Sequence, residues 1–246
     1  MSEPILSMHG VCVAYQGDIT ILDGVSLDFV RGEIAGLIGP NGAGKSTVLK
    51  TLCGFLKPRS GSIRFEGQPI DGLSPHARIG LGIAYVPQHR SLFDGLTVEG
   101  NLRLGCWTFR RDKARVARAL ARAYELFPAL ADKRKERAGA LSGGQQRFLE
   151  LARALIVEPQ VILLDEPTAM IAPRQSHEIY EFIGRLGAAG NTVVLVDQNV
   201  RQCAAVSDRI HVLELGRNKA SGTRADLSQD GRLQRMIGEW LDYKID

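Results

Sequence analysis

Five apolar residues, Ile34 to Ile38, run without interruption into Gly39-Pro40-Asn41-Gly42-Ala43-Gly44-Lys45-Ser46-Thr47. A short run of this kind suits a strand buried on both faces, and such strands belong to parallel sheets. From Lys45 to about Cys53 the chain reads as a helix that Gly54 stops. Strand, glycine-rich loop and helix in that order point to an α/β fold. The loop fits G-x-x-x-x-G-K-[ST], in the strand-to-helix setting where that pattern carries chemistry. Its glycines let backbone N–H groups close on phosphate oxygens, and the helix start adds a partial positive charge. Lys45 brings a full charge to the β- and γ-phosphates, and the Ser46 hydroxyl is a ligand for Mg²⁺.

Val161-Ile162-Leu163-Leu164-Asp165-Glu166 repeats the buried-strand signature and ends on two carboxylates. Alone, this would be a core strand capped by two solvated acids. With a phosphate loop upstream, Asp165 is placed to hold Mg²⁺ through water and Glu166 to polarise an attacking water. Between the two motifs stands Leu141-Ser142-Gly143-Gly144-Gln145. Ser142 is a good helix N-cap, and the paired glycines leave amides open to an anion at the helix start. Phe148, Leu151, Ala152 and Leu155 are expected to give that helix its buried face.

Alternation marks Ile5 to Tyr15 and Ile21 to Val30 as strands of an antiparallel β layer, with a turn at Asp23-Gly24. Ile63 to Phe65 and Ile83 to Val86 read as further strands, set off by turns at Glu66-Gly67 and Asp71-Gly72. Helices take over from Val98 to Pro128, where Ala114, Ala117, Leu120, Ala121, Tyr124 and Phe127 recur at helical spacing. The parallel pattern returns with Val161 to Leu164, a helix after Pro173, the strand Thr192 to Val196, a short helix and the strand Ile210 to Leu213. A last helix is expected from Leu233 to Leu241. The expected fold is α/β, one domain over 1–246. It has a P-loop NTPase core with a mixed or parallel sheet and an N-terminal antiparallel β layer over 1–88 and 158–246. A helical subdomain carrying residues 141–145 is inserted over about 89–157.

The 246 residues carry 31 Lys and Arg against 27 Asp and Glu, dispersed apart from Arg110-Arg111 and the stretch Lys133 to Arg137. Such runs are solvated faces, and the balance argues against nucleic acid as a partner. Cys12, Cys53, Cys106 and Cys203 have no Cys-x-x-Cys spacing, which fits free thiols in a reducing compartment. Met1 to Ile5 lacks the order of a signal peptide, and no apolar run approaches the roughly 18 residues of a membrane span. The chain is therefore expected in the cytoplasm, with any membrane role reached through a partner.

Together these motifs make the chain resemble the ATP-binding subunits of ABC transporters over nearly its whole length. Leu141 to Arg147, reading Leu-Ser-Gly-Gly-Gln-Gln-Arg, is similar to the family signature. The resemblance implies that the signature of one subunit caps the γ-phosphate held by the other, so that two subunits close head to tail around two ATPs with Mg²⁺. It also implies several partners: transmembrane permease subunits, a second ATPase subunit, identical or different, and indirectly an extracytoplasmic solute-binding protein. The chain would be peripheral on the cytoplasmic face of the inner membrane. Tyr15 matches the aromatic that stacks on adenine. Gln88, in Val86-Pro87-Gln88, matches the glutamine that reaches Mg²⁺ and water and senses the permease, which Arg90 to Leu96 and the helical insert would grip.

Two positions depart from the family's usual pattern. Gln198, in Val196-Asp197-Gln198-Asn199, stands where a histidine contacts the γ-phosphate; it can donate a hydrogen bond but cannot carry the imidazole's charge. Ala172 falls where many relatives have an aspartate, and Met170 where the branched-chain importer subgroup commonly has glycine. The Asp-Gln-Asn and Ala-Pro strings, with Leu96 to Glu99 and Phe127 to Leu130, are similar to the second ATPase of branched-chain amino acid importers and their amide or urea relatives. Two other readings stay open: a mechanical ATPase of the same fold unconnected with transport, and a regulatory ATP-binding subunit with little turnover.

Overall fold

In the computed structural model, which describes residues 3–15, 19–229, 231 and 238, the chain opens on two long antiparallel strands, β1 (Pro4–Tyr15) and β2 (Ile19–Val30). Along β2, Val25, Leu27 and Phe29 are buried while Ser26 and Asp28 face outward, the alternation of a sheet with one wet side. Asp23-Gly24 is not the expected turn. The strand passes through it unbroken, and the pairing slips between Val11↔Val25 and Val13↔Leu22. A β-bulge takes up the extra residue, with Gly24 at φ 65°.

Next come β3 (Ile34–Ile38), α1 (Lys45–Leu52), β4 (Ser60–Phe65), β5 (Gln68–Pro69), α2 (Pro75–Gly80) and β6 (Ile83–Val86). Strands β2-β1-β4-β5 form one four-stranded antiparallel sheet. Ile63 to Phe65 therefore belongs to this layer, whereas Ile83 to Val86 joins the parallel sheet. The helical stretch holds α3 (Val98–Gly105), α4 (Lys113–Leu126), α5 (Pro128–Asp132) and α6 (Gly143–Leu155). On α4 the buried residues are Val116, Leu120 and Ala123; Ala114, Ala117 and Ala121 are exposed. The buried stripe follows Val116, Leu120 and Ala123, and the other alanines named serve as surface helix formers.

The chain then builds β7 (Val161–Asp165), α7 (Pro173–Ala188), β8 (Thr192–Val196), α8 (Val200–Val206), β9 (Arg209–Glu214), β10 (Arg217–Thr223) and α9 (Arg224–Gln229). The second sheet runs β10-β9-β3-β8-β7-β6, parallel except for the β10 edge. Strands β3, β8 and β7 are largely apolar because each face has its own core, whereas β9 carries the buried His211. Ile162, Leu164, Val193 and Leu195 pack with the helical stretch and α7, while Val161, Leu163, Val194 and Val196 pack with α1 and the antiparallel layer. The expected helix from Leu233 to Leu241 lies almost wholly outside the described residues.

Arg78 on α2 is 1 % exposed, and its guanidinium donates to the carbonyls of Thr51 and Leu52 at the end of α1 and of Ile70 and Asp71. It thereby satisfies orphan carbonyls at the C-terminus of the helix whose N-terminus carries Lys45. The four cysteines are free thiols, as expected, with Cys53, Cys106 and Cys203 buried. Among the described residues no helix is long and apolar enough to cross a membrane.

Candidate nucleotide-hydrolysis site

Gly39 leaves β3 at φ 153°, and a Cβ there would stand 2.0 Å from the Leu213 carbonyl oxygen, so only glycine fits. The loop then exposes Asn41 and Gly42, while Ala43 is buried. Gly44, at φ 98°, turns the chain into α1 with no side-chain cap, so the first amides of that helix stay open to a ligand. Lys45, 7 % exposed, folds its ammonium over the loop and donates to the carbonyls of Gly39 at 2.8 Å and Pro40 at 2.9 Å. One residue on, the Ser46 hydroxyl donates to Asp165 Oδ1 across 2.8 Å. The Tyr85 hydroxyl occupies the other oxygen of that carboxylate at 3.0 Å. Burial first, and the neighbouring Asp165 charge second, push the Tyr85 phenol above its ordinary range, so it remains a neutral donor.

Glu166 departs from β7 with φ 47°, a left-handed conformation that costs a non-glycine residue about 1–3 kcal/mol. Its own N–H donates to Val196 O at 2.7 Å, which fixes it against the end of β8. Glu166 Oε2 accepts from two amides, Gln88 Nε2 at 2.5 Å and Gln198 Nε2 at 2.7 Å. Its carboxyl pKa is raised: burial is the largest cause, Asp165 and Asp197 add to it, and the Gln198 hydrogen bond and Lys45 oppose it. A carboxylate that prefers its proton more than usual is a stronger base towards water.

Ser142 stands exposed at the start of α6, closing a capping box in which its Oγ accepts from Gln145 N at 3.3 Å and Gln145 Oε1 accepts from Ser142 N at 3.1 Å. Leu141 and Gly144 are buried beneath it, and Gly143 and Gln145 are half-buried. On α6 itself, Leu151 and Ala152 are buried as expected, whereas Phe148 and Leu155 are only partly so. The helix is sunk nearly all round, with Leu149 and three polar residues, Gln146, Arg147 and Glu150, also inside. Arg147 donates to the carbonyls of Pro87 and Gln88, both at 2.9 Å, and pairs with Glu150 at 2.8 Å. Arg153 donates to Ser91 O at 2.8 Å, and Glu150 accepts from the Ser91 hydroxyl at 3.0 Å. Helix α6 thus grips the backbone of the loop that carries Gln88.

Of the residues singled out from sequence, Lys45, Ser46, Asp165, Glu166, Gln88 and Gln198 meet in one cluster. Gly39, Pro40, Asn41, Gly42, Ala43, Gly44 and Thr47 form its floor. Tyr15, half-buried, ends β1 and pairs with Ile19 of β2. Of Leu141, Ser142, Gly143, Gly144 and Gln145, Ser142 alone is exposed, and its Oγ also accepts from Gln175 Nε2 on α7 at 3.4 Å. Sequence reasoning missed Tyr85, Thr168, Asp197 and the Arg147–Glu150–Arg153 group. A hydroxyl inside the apolar run Ile83 to Val86 and an acid closing the apolar strand Thr192 to Val196 were the signals available.

A phosphate loop feeding a helix, two carboxylates at the end of a strand two places along the same sheet and a capped, glycine-bearing helix start at Ser142 define an ATP-hydrolysing cassette. The family model described as "ABC transporter" matches residues 22–169, and the chain belongs to that family. It is 44 % identical over 213 residues to the high-affinity branched-chain amino acid transport ATP-binding protein BraG of Pseudomonas aeruginosa, covering 87 % of this chain and 91 % of that one. It is 37 % identical over 220 residues to the probable branched-chain amino acid transport ATP-binding protein LivF of Archaeoglobus fulgidus, covering 89 % and 92 %. A Nod factor export ATP-binding protein I of a Rhizobium species is also 37 % identical, over 91 % of this chain and 72 % of its own. Among solved structures, a nucleotide-free ATP-binding cassette from an ABC transporter superposes with a TM-score of 0.84 at 26 % identity, covering 98 % and 99 %. The ADP conformation of another such cassette gives 0.82 at 27 % identity, covering 96 % and 99 %.

Proposed function

We propose that this chain is the ATP-hydrolysing subunit of an importer for branched-chain amino acids or related polar solutes, peripheral on the cytoplasmic face of the inner membrane. The observation that carries the mechanism is the capped helix start at the exposed Ser142 in a chain that also holds the phosphate loop. One copy offers Lys45 and the loop amides, and the other offers Ser142, Gly143 and Gly144, so ATP joins two cassettes and favours the closed pair by mass action. Within each site Lys45 holds the β- and γ-phosphates and Tyr15 stacks on adenine. Glu166, positioned by Gln88 and Gln198, takes a proton from the attacking water as the bond from the γ-phosphorus to its bridging oxygen breaks. ADP and phosphate then leave and the pair reopens.

The donor set also suits Mg²⁺. Ser46, Gln88 and Asp165 offer hard oxygens of the kind that ion takes, and when bound the ion would neutralise developing phosphate charge. A cavity of about 290 Å³ between the parallel sheet and the helical stretch, lined by Ile79, Tyr85, Leu104, Trp107 and Arg153 among others, is where a permease would seat. Trp107 and Phe93, each 58 % exposed, stand ready for an apolar partner. Identity to BraG and LivF, named as branched-chain amino acid transport ATP-binding proteins, supports transport of those solutes, whereas the Nod factor relative is named for export; import with a second ATPase and an external binding protein is the reading adopted. Uptake of labelled leucine, urea and short amides by cells with and without this subunit decides: lost leucine uptake supports the proposal, and unchanged uptake of all three refutes it.

A further inference from the structure

Asp197 is a buried carboxylate, 2 % exposed, for which the hydrolysis described above has no use. Burying such a group is costly unless several donors satisfy it. Asp197 Oδ2 accepts from the Thr168 hydroxyl at 2.7 Å and from Thr168 N at 3.4 Å, and Oδ1 accepts from Asn199 N at 3.0 Å. Thr168 lies two residues beyond Glu166, and Asn199 directly follows Gln198. One carboxylate therefore ties together the two loops whose side chains meet at Glu166 Oε2. The same region is braced twice more, by Glu166 N on Val196 O at 2.7 Å and by Asn199 Oδ1 capping α8 through Gln202 N at 3.2 Å.

We propose that Asp197, through Thr168 on one side and Asn199 on the other, is a positioning residue that holds Glu166 and Gln198 in register for water activation. Its hydrogen bonds run to Thr168 and Asn199, and its contribution is the placement of Glu166 and Gln198. A misplaced base loses rate without loosening the phosphates, because Lys45 and the loop amides lie on other elements. This inference rests on Glu166 being the base.

Steady-state ATP hydrolysis by the full chain, normalised to folded protein, tests it. Thr168→Val removes the hydroxyl at nearly constant volume and is expected to lower kcat about tenfold with KM for ATP within about twofold, while Thr168→Ser restores kcat. Asp197→Asn should give a comparable loss, and the double variant with Thr168→Val should be no slower than the slower single, since both remove one link. Unchanged kcat in Thr168→Val, a rise in KM without a fall in kcat, or failure of Thr168→Ser to rescue would each overturn the assignment. If Asp197→Asn does not fold, the two Thr168 variants decide alone. Glu166→Gln run alongside separates the two readings. Normal turnover in that variant removes the base itself, whereas its loss beside an unaffected Thr168→Val removes only the positioning role.

Discussion

Gln198 Nε2 lies 2.7 Å from Glu166 Oε2, so the residue standing in the usual histidine's place donates directly to the carboxylate proposed as base. The bond orients Glu166 and works against its raised pKa. Gln198→Leu keeps the approximate size and removes the donor. Its kcat should fall about tenfold with ATP affinity nearly unchanged, whereas Gln198→His, which retains a donor, should turn over at least as fast as the parent. Initial-rate kinetics with a separate ATP-binding titration check both.

The Arg147–Glu150 pair is buried on both sides, with side chains 5 % and 2 % exposed, and it anchors the backbone of Pro87 and Gln88. Removing one partner leaves a charge without compensation inside the protein. Glu150→Gln should therefore lose about 3–5 kcal/mol of stability. The double variant Arg147→Met/Glu150→Gln should recover part of that loss, read from urea midpoints at constant m.

Much of this architecture is legible in the chain because the parallel strands are apolar on both faces and the glycines of the phosphate loop have no substitute. What is not legible depends on neighbours. Residues 217–223 read Arg-Asn-Lys-Ala-Ser-Gly-Thr, with no apolar alternation, and form β10 only because β9 offers a free edge. Asp23-Gly24 has turn chemistry but sits in a bulge fixed by Asp23 N on Gly216 O at 2.9 Å. In the site, Gln88 and Gln198 could be singled out by position, yet that they share one oxygen of Glu166 is a tertiary fact. Glu150 carries no sequence signal and Asp197 only that of an acid closing an apolar strand, so it is their burial that reveals them as fasteners.

His211 on β9 is 3 % exposed, packs edge-on against Phe29, and shares a 2.8 Å contact between Nδ1 and Ser221 Oγ. Burial first and then Arg209 push its pKa down to about 4 from 6.5. Between those values the unfolded chain binds a proton that the folded one refuses. Its contribution is thus complete above about pH 6.5 and is lost as the pH falls towards 4, by about 2 kcal/mol at pH 5. Urea unfolding at pH 7 and pH 5 should show a smaller drop in His211→Gln than in the parent; equal drops would refute the assignment.

In the proposed closed pair, ATP joins two copies through Ser142 of one and Lys45 of the other. Light scattering on the full-length Glu166→Gln protein, with and without ATP and Mg²⁺, measures this most directly. ATP should double the mass, and adding Ser142→Arg to the same chain should return it to the monomer value with ATP still bound. A protein that binds ATP yet keeps its monomer mass, or one that doubles regardless of Ser142, would contradict the shared site.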